Sequence, residues 1–142
     1  MWNNSSRNLP GAILLATALL GCRHPSPEDE LAGRARLAAS WAASLQMLGE
    51  KWLANSVPTT FVRDTCAAAG DDLAQADEDA AKSQAAPAQK DRLRQSIALA
   101  RTAAKALKRD AEDGDRPGAA REVQRLADLK STLTALAREG EP

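Results

Sequence analysis

The sequence predicts an all-α protein, an antiparallel up-down-up-down four-helix bundle that follows an N-terminal apolar segment. Three observations carry this prediction. Apolar residues recur at alternating four- and three-residue spacings through four successive segments, which is the period of one helix face. Alanine is by far the commonest residue, tyrosine is absent and Phe61 is the only phenylalanine. With few β-branched residues besides, the composition favours helix and gives a sheet little to build on. The segments are joined by only a few residues each, and short connections force neighbouring helices antiparallel.

The first helix opens at Ser26-Pro27-Glu28-Asp29. Ser26 can cap free N–H groups, Pro27 tolerates the first helical position, and the two acids complement the positive helix end. Leu31, Ala38, Trp41, Leu45, Leu48 and Trp52 then form one apolar stripe, predicting a helix to about Ala54, before Asn55-Ser56 and Pro58. The second helix starts near Pro58-Thr59 and carries Val62, Cys66, Ala69, Leu73, Ala76 and Ala80 in register. Small residues on that stripe imply close helix approach. The pattern stops at Gln84 to Pro87 and resumes with Leu93, Ile97, Ala100, Ala104, Leu107 and Ala111, ending at Gly114. Asp115 caps a fourth helix near Pro117, with Val123, Leu126, Leu133 and Leu136 inward, Gly118 weakening its first turn and Gly140 ending it. The competing arrangement is a three-helix unit with the fourth helix detached or swapped between chains.

Formal net charge is zero, so no global basic field exists to hold nucleic acid. Asp71, Asp72, Asp77, Glu78 and Asp79 make the second helix acidic, and Lys90, Arg92, Arg94, Arg101, Lys105, Lys108 and Arg109 make the third basic. Across a hairpin that turns near residue 85, Asp77 and Asp79 are expected opposite Arg94 and Arg92. Charge complementarity that sets helix pairing accounts for the acids better than a metal site does, since no glycine-bearing loop shapes a calcium cage. Arg94, Arg101 and Lys105 are the candidate residues for an anionic ligand. His24 is the only histidine and has no evident nucleophile or acid partner; with no histidine on any stripe, haem ligation is not expected either. The expectation is therefore no enzyme, no metal and no cofactor. Cys66 falls on the core stripe, which predicts a small buried core residue; the alternative is an intermolecular disulfide or redox thiol.

The amino terminus has a different character. Met1 to Asn8 is polar and carries Arg7, Gly11 to Leu20 is apolar, and Leu19-Leu20-Gly21-Cys22 closes the run. A charged region, a short apolar region and a small residue at the cut are the physical grammar of an export signal. The run is about half the roughly 20 residues that a spanning helix needs.

Leu19-Leu20-Gly21-Cys22 resembles the lipobox of bacterial lipoproteins. That resemblance covers residues 1–22 only. It implies cleavage after Gly21 and a diacylglycerol thioether on Cys22, with fatty acyl chains such as palmitate anchoring the protein in a lipid bilayer. Residues 1–21 are then a signal peptide, 22–25 a lipidated tether and 26–140 the helical domain. Arg23 stands where an inner-membrane retention aspartate would, which implies the outer membrane, facing the periplasm, in a cell with two membranes. Four antiparallel helices put both chain ends beside the 83–87 turn, and the loops at 55–60 and 113–118 at the far tip. Trp52, Asn55, Thr59, Thr60 and Arg116 are there the candidate contacts for an envelope protein partner.

Overall fold

In the computed structural model, which describes residues 25–140, the chain forms α1 (Pro27–Leu53), α2 (Thr59–Lys82), α3 (Pro87–Asp113) and α4 (Arg116–Glu139). No strand occurs among the described residues. The helices are bounded by local chemistry that the sequence displays. Ser26 Oγ accepts the Asp29 backbone N–H at 3.1 Å, and the Asp29 carboxylate accepts the Ser26 N–H at 3.0 Å, a reciprocal capping box. Pro27 and Pro87 occupy first-turn positions of α1 and α3. Asp115 Oδ1 accepts the Gly118 N–H at 2.9 Å and so caps α4. Gly114 ends α3 at φ 70°, a left-handed conformation that side chains disfavour. Asn55 adopts φ 58° after α1, the one non-glycine residue type besides Asp that tolerates this cheaply.

The four helices form an antiparallel bundle. α1 packs most extensively on α4, and α2 on α3; α1 and α3 also touch across the diagonal, whereas α2 and α4 do not meet. Leu45, Leu73, Ile97, Leu107, Leu126, Leu133 and Val62 are the largest fully buried side chains. Around them the core is alanine, with Ala35, Ala38, Ala42, Ala69, Ala100, Ala103, Ala104 and Ala119 all at 1 % exposure or less.

Ala35, Ala42 and Gly49 follow one another at seven-residue spacing on α1 and are all buried, so they form a seam of small residues along one helix edge. At Gly49 the neighbouring helices close in. A Cβ there would lie 2.4 Å from Val123 Cγ2 of α4 and 3.4 Å from Leu107 Cδ1 of α3. At the other end of the seam, a Cβ on Gly140 would lie 2.9 Å from both Ala32 Cβ and the Glu28 carbonyl oxygen.

That contact also fixes the ends. Gly140 lies against Glu28, and Ser83 Oγ in the α2–α3 turn donates to the Pro27 carbonyl at 3.5 Å. Both ends of the described chain therefore share one pole with the 83–86 turn, as the helix parity requires. The loops after α1 and α3 occupy the other pole, about 40 Å away for a 27-residue helix.

Three expectations are corrected. Asp79 does not face Arg92: it pairs with Arg34 of α1 at 3.0 Å and accepts from Gln75 Nε2 at 2.9 Å. Arg92 turns the other way, to Glu139 of α4 at 2.5 Å. Asp77 and Asp79 are two residues apart, about 200° around the helix, so they look toward different neighbours. Trp41 is only partly buried: it packs against the core with its ring and donates Nε1–H to Asp72 Oδ2 at 3.1 Å. Val123 and Leu136 are likewise half-buried, and Leu129, Ala119 and Ala137 complete the α4 core instead.

The Gly49 contact generates a paired prediction. Gly33→Ala, with nothing within 4 Å of the new Cβ, stabilises the bundle by about 0.5–1 kcal/mol through helix propensity. Gly49→Ala gains the same propensity, but overpacking against Val123 costs about 1–3 kcal/mol and leaves the protein less stable. Urea unfolding followed by helical circular dichroism distinguishes the two, and adding Val123→Ala recovers part of the Gly49→Ala loss.

Candidate functional site

The distal pole gathers four of the five tip residues into one cluster. Trp52 lies in the last turn of α1 and is 8 % exposed. Its indole Nε1–H donates to Thr59 Oγ1 at 3.0 Å, joining α1 to the first turn of α2. The Arg116 guanidinium stands 5.5 Å from the centroid of the Trp52 ring, within cation–π range. From there Nη1 donates to Asn55 Oδ1 at 3.2 Å and Nη2 donates to the Leu53 carbonyl. Arg116 thus ties the start of α4 to the end of α1. Both distal loops are closed over the core by one arginine.

These contacts leave Trp52 a roof over the core instead of an exposed anchor. Thr60 and Phe61 are exposed at this pole together with Asn55, Ser56, Pro58, Arg116 and Pro117. Phe61 is 54 % exposed, and the sequence reading passed over it. Its signal was available: an aromatic next to Val62 but off the apolar stripe points outward on an amphipathic helix.

Two buried carboxylates were also missed. Asp110 and Glu122 are 4 % and 7 % exposed. Asp110 accepts from Arg109 Nε and Nη2 at 3.1 and 2.8 Å, and Glu122 accepts two hydrogen bonds from Arg125 Nη1 at 3.0 and 3.1 Å. A Cβ on Gly118 would fall 2.7 Å from Asp110 Oδ2 and 2.3 Å from Asp115 Oδ2. Gly118 is therefore the residue that lets both carboxylates sit over the first turn of α4, beyond merely weakening that turn.

Cys66 is 4 % exposed. Burial pushes its thiol up to about 12 from an ordinary value of 9.0; the nearby Lys108 ammonium lowers it and Glu112 raises it, both less strongly. A thiol held neutral in this way is a poor nucleophile.

Three of the α2 acids go to neighbours: Asp72 takes Trp41, Asp79 takes Arg34, and Asp77 takes Arg94 Nε at 2.8 Å. No group of three His, Cys, Asp or Glu side chains placed to hold a metal ion occurs among the described residues. Of the three anionic-ligand candidates, Arg94 is committed to Asp77, a hydrogen bond that raises its pKa. Among the described residues Arg101 and Lys105 form no ion pair, and Arg101 Nε is buried without a partner there. A cavity of ≈ 20 Å³ lies at the other pole between Leu31, Leu93, Leu136 and Arg92, room for about one water. Cys22, Gly21 and His24 lie outside the described residues. No helix of the described chain is long and apolar enough to cross a membrane.

No family model matches this chain, and comparison with curated proteins and with solved structures finds no match.

The tip cluster predicts that Arg116→Ala lowers unfolding stability by about 1–2 kcal/mol, from a charged hydrogen bond and a cation–π contact. Arg116→Lys recovers less than half of that, because an ammonium cannot reach Asn55 and the Leu53 carbonyl with one planar fork. The thiol predicts a pH effect with a definite sign. Its folded pKa is raised, so its stabilising contribution is complete below about pH 9 and falls away as pH climbs toward about 12. In that window the wild type loses up to about 1.4 kcal/mol per pH unit relative to Cys66→Ala, measured as the difference between their urea midpoints.

Proposed function

We propose that this chain is a lipid-anchored lipoprotein of the bacterial cell envelope whose helical domain has a structural or protein-binding role and no enzymatic one. The observation that carries the reading is Leu19-Leu20-Gly21-Cys22 at the end of an apolar run, followed by a helix cap at Ser26. Cys22 is the acylated residue, Gly21–Cys22 the cleaved bond and 22–25 the tether. Acyl chains on one cysteine anchor stably where a single myristoyl chain is marginal. In a cell with two membranes, Arg23 favours the outer one, with the domain facing the periplasm.

The bundle supports a scaffold role in two respects. Three ion pairs hold its helices to one another, Arg34–Asp79, Arg94–Asp77 and Arg92–Glu139. Its anchored pole is opposite the loops, so a rigid rod of about 40 Å presents the closed tip away from the bilayer. A partner docking end-on meets the exposed Asn55, Thr60, Phe61 and Arg116, with Trp52 and Thr59 holding the platform beneath them.

A second reading is a binding module for an anionic envelope ligand or polymer, through Arg94, Arg101 and Lys105. The buried, unpartnered Nε of Arg101 favours it.

Photo-crosslinking in living cells tests the scaffold reading. A crosslinker at Thr60 or Phe61 is expected to give a reproducible adduct with one envelope protein, absent when the crosslinker is placed at Gln124 on the flank of α4. Recovery of the chain alone from all three positions, at good crosslinker incorporation, overturns it.

A further inference from the structure

Two stripes of unlike charge run side by side along the face formed by α2 and α3. On α2, Ala67, Asp71, Ala74 and Glu78 follow at spacings of four, three and four. On α3, Arg94, Ala98, Arg101, Lys105 and Lys108 alternate four and three, so each set lies along one helix face. Asp71, Glu78 and Lys105 are exposed, and Arg101 and Lys108 half-buried. None of these five charges forms an ion pair within the described chain, although their neighbours Asp77 and Arg94 pair at 2.8 Å.

That one pair sets the levels. With Asp77 opposite Arg94 in an antiparallel hairpin, two turns further along Gly70 comes level with Arg101. Asp71 is then at the height of Arg101, and Glu78 at the height of Arg94. The uncharged positions of the stripes and of the line between them are small: Ala67, Ala74 and Ala98, and Gly70, with nothing within 4 Å of a Cβ built on Gly70. The face is dipolar, and of the charges on its two stripes only Arg94 is paired within the described chain.

We infer that this α2–α3 face pairs with the same face of a second copy of this chain, about a two-fold axis parallel to the helices. Such an axis lays α2 of each copy over α3 of the other at equal height. Asp71 then meets the partner's Arg101 and Lys105, Glu78 adds a second carboxylate beside the partner's Arg94, which its own chain pairs with Asp77, and every contact occurs twice. A two-fold axis running across the helices would instead set α2 on α2, acid against acid, which is repulsive. Charge therefore selects the parallel axis. That axis also keeps both anchored poles on one side, as two chains in one bilayer require; this last point rests on the acyl-anchor reading above. Confinement to a membrane raises effective concentration, which suits an interface of exposed ion pairs that is weak in dilute solution.

The test uses two full-length chains with different tags, expressed together, one carrying Ala74→Cys and the other Ala98→Cys. Those positions are level across the proposed interface. Membranes are treated with a short bis-maleimide, and alkyne-palmitate fed to the same cells reports acylation of the chain. A mixed crosslink several-fold above that of either variant with the wild-type chain is expected. Adding Arg101→Glu to the Ala98→Cys chain lowers it several-fold, and Asp71→Arg in the Ala74→Cys chain restores it. Absence of the mixed crosslink in acylated chains, or a crosslink indifferent to the charge reversal, overturns the dimer while leaving the anchor standing. A charge-sensitive crosslink in chains without palmitate supports the dimer and overturns the anchor. Loss of both signals overturns both.

Discussion

Close approach of helix backbones is the constraint on which this bundle depends. With one phenylalanine, no tyrosine and an alanine-rich core, the interior cannot be filled by bulk. It reaches native density by bringing the helices together, because a gap with no atoms across it forfeits dispersion contact outright. Ala35, Ala42 and Gly49 provide that approach along α1, and α4 answers with Ala137 and Val123. The few large side chains, Leu45, Leu73, Ile97, Leu107, Leu126 and Leu133, fill what space remains. Gly49 is the tightest of the glycine contacts between helices because α1, α3 and α4 converge there.

Helices that meet through alanines slide past one another more easily than helices locked by large knobs. Polar contacts supply the missing specificity. Arg34–Asp79 and Trp41–Asp72 register α1 against α2, Arg94–Asp77 registers α2 against α3, and Arg92–Glu139 registers α3 against α4. Each exposed pair contributes at most about 1 kcal/mol, so their joint effect is to choose among registers more than to stabilise any one. Arg116 then closes the tip, joining α4 to Trp52, Asn55 and the Leu53 carbonyl.

Helix positions and the up-down order were legible because their causes are local: the Ser26 capping box, Pro27 and Pro87, Gly114 and Asp115, and a four-three apolar period. What failed was the assignment of neighbours. Periodicity says which side of a helix is buried but not which helix lies on each flank, and so Asp79 and Arg92 were matched to each other instead of to α1 and α4. Small residues carry a weak apolar signal, which hid the Gly49 seam while Leu and Trp stood out. The tip was assembled correctly from helix parity, yet whether Trp52 faced solvent depended on Arg116 folding over it, a contact 64 residues away in the sequence. The buried pair Asp110 and Glu122 had no signature at all, since charged residues read as surface until a neighbouring arginine covers them. Binding surfaces follow no period, so the candidate contacts rested on topology alone.

We propose a helical rod held by one pole at a membrane, and the most direct test is the intact mass of the protein extracted from membranes of cells that express the full chain. The account predicts a polypeptide that begins at Cys22 and carries the added mass of a diacylglyceryl group with its fatty acyl chains. A chain that begins at Met1, or one cut elsewhere with Cys22 unmodified, would contradict it.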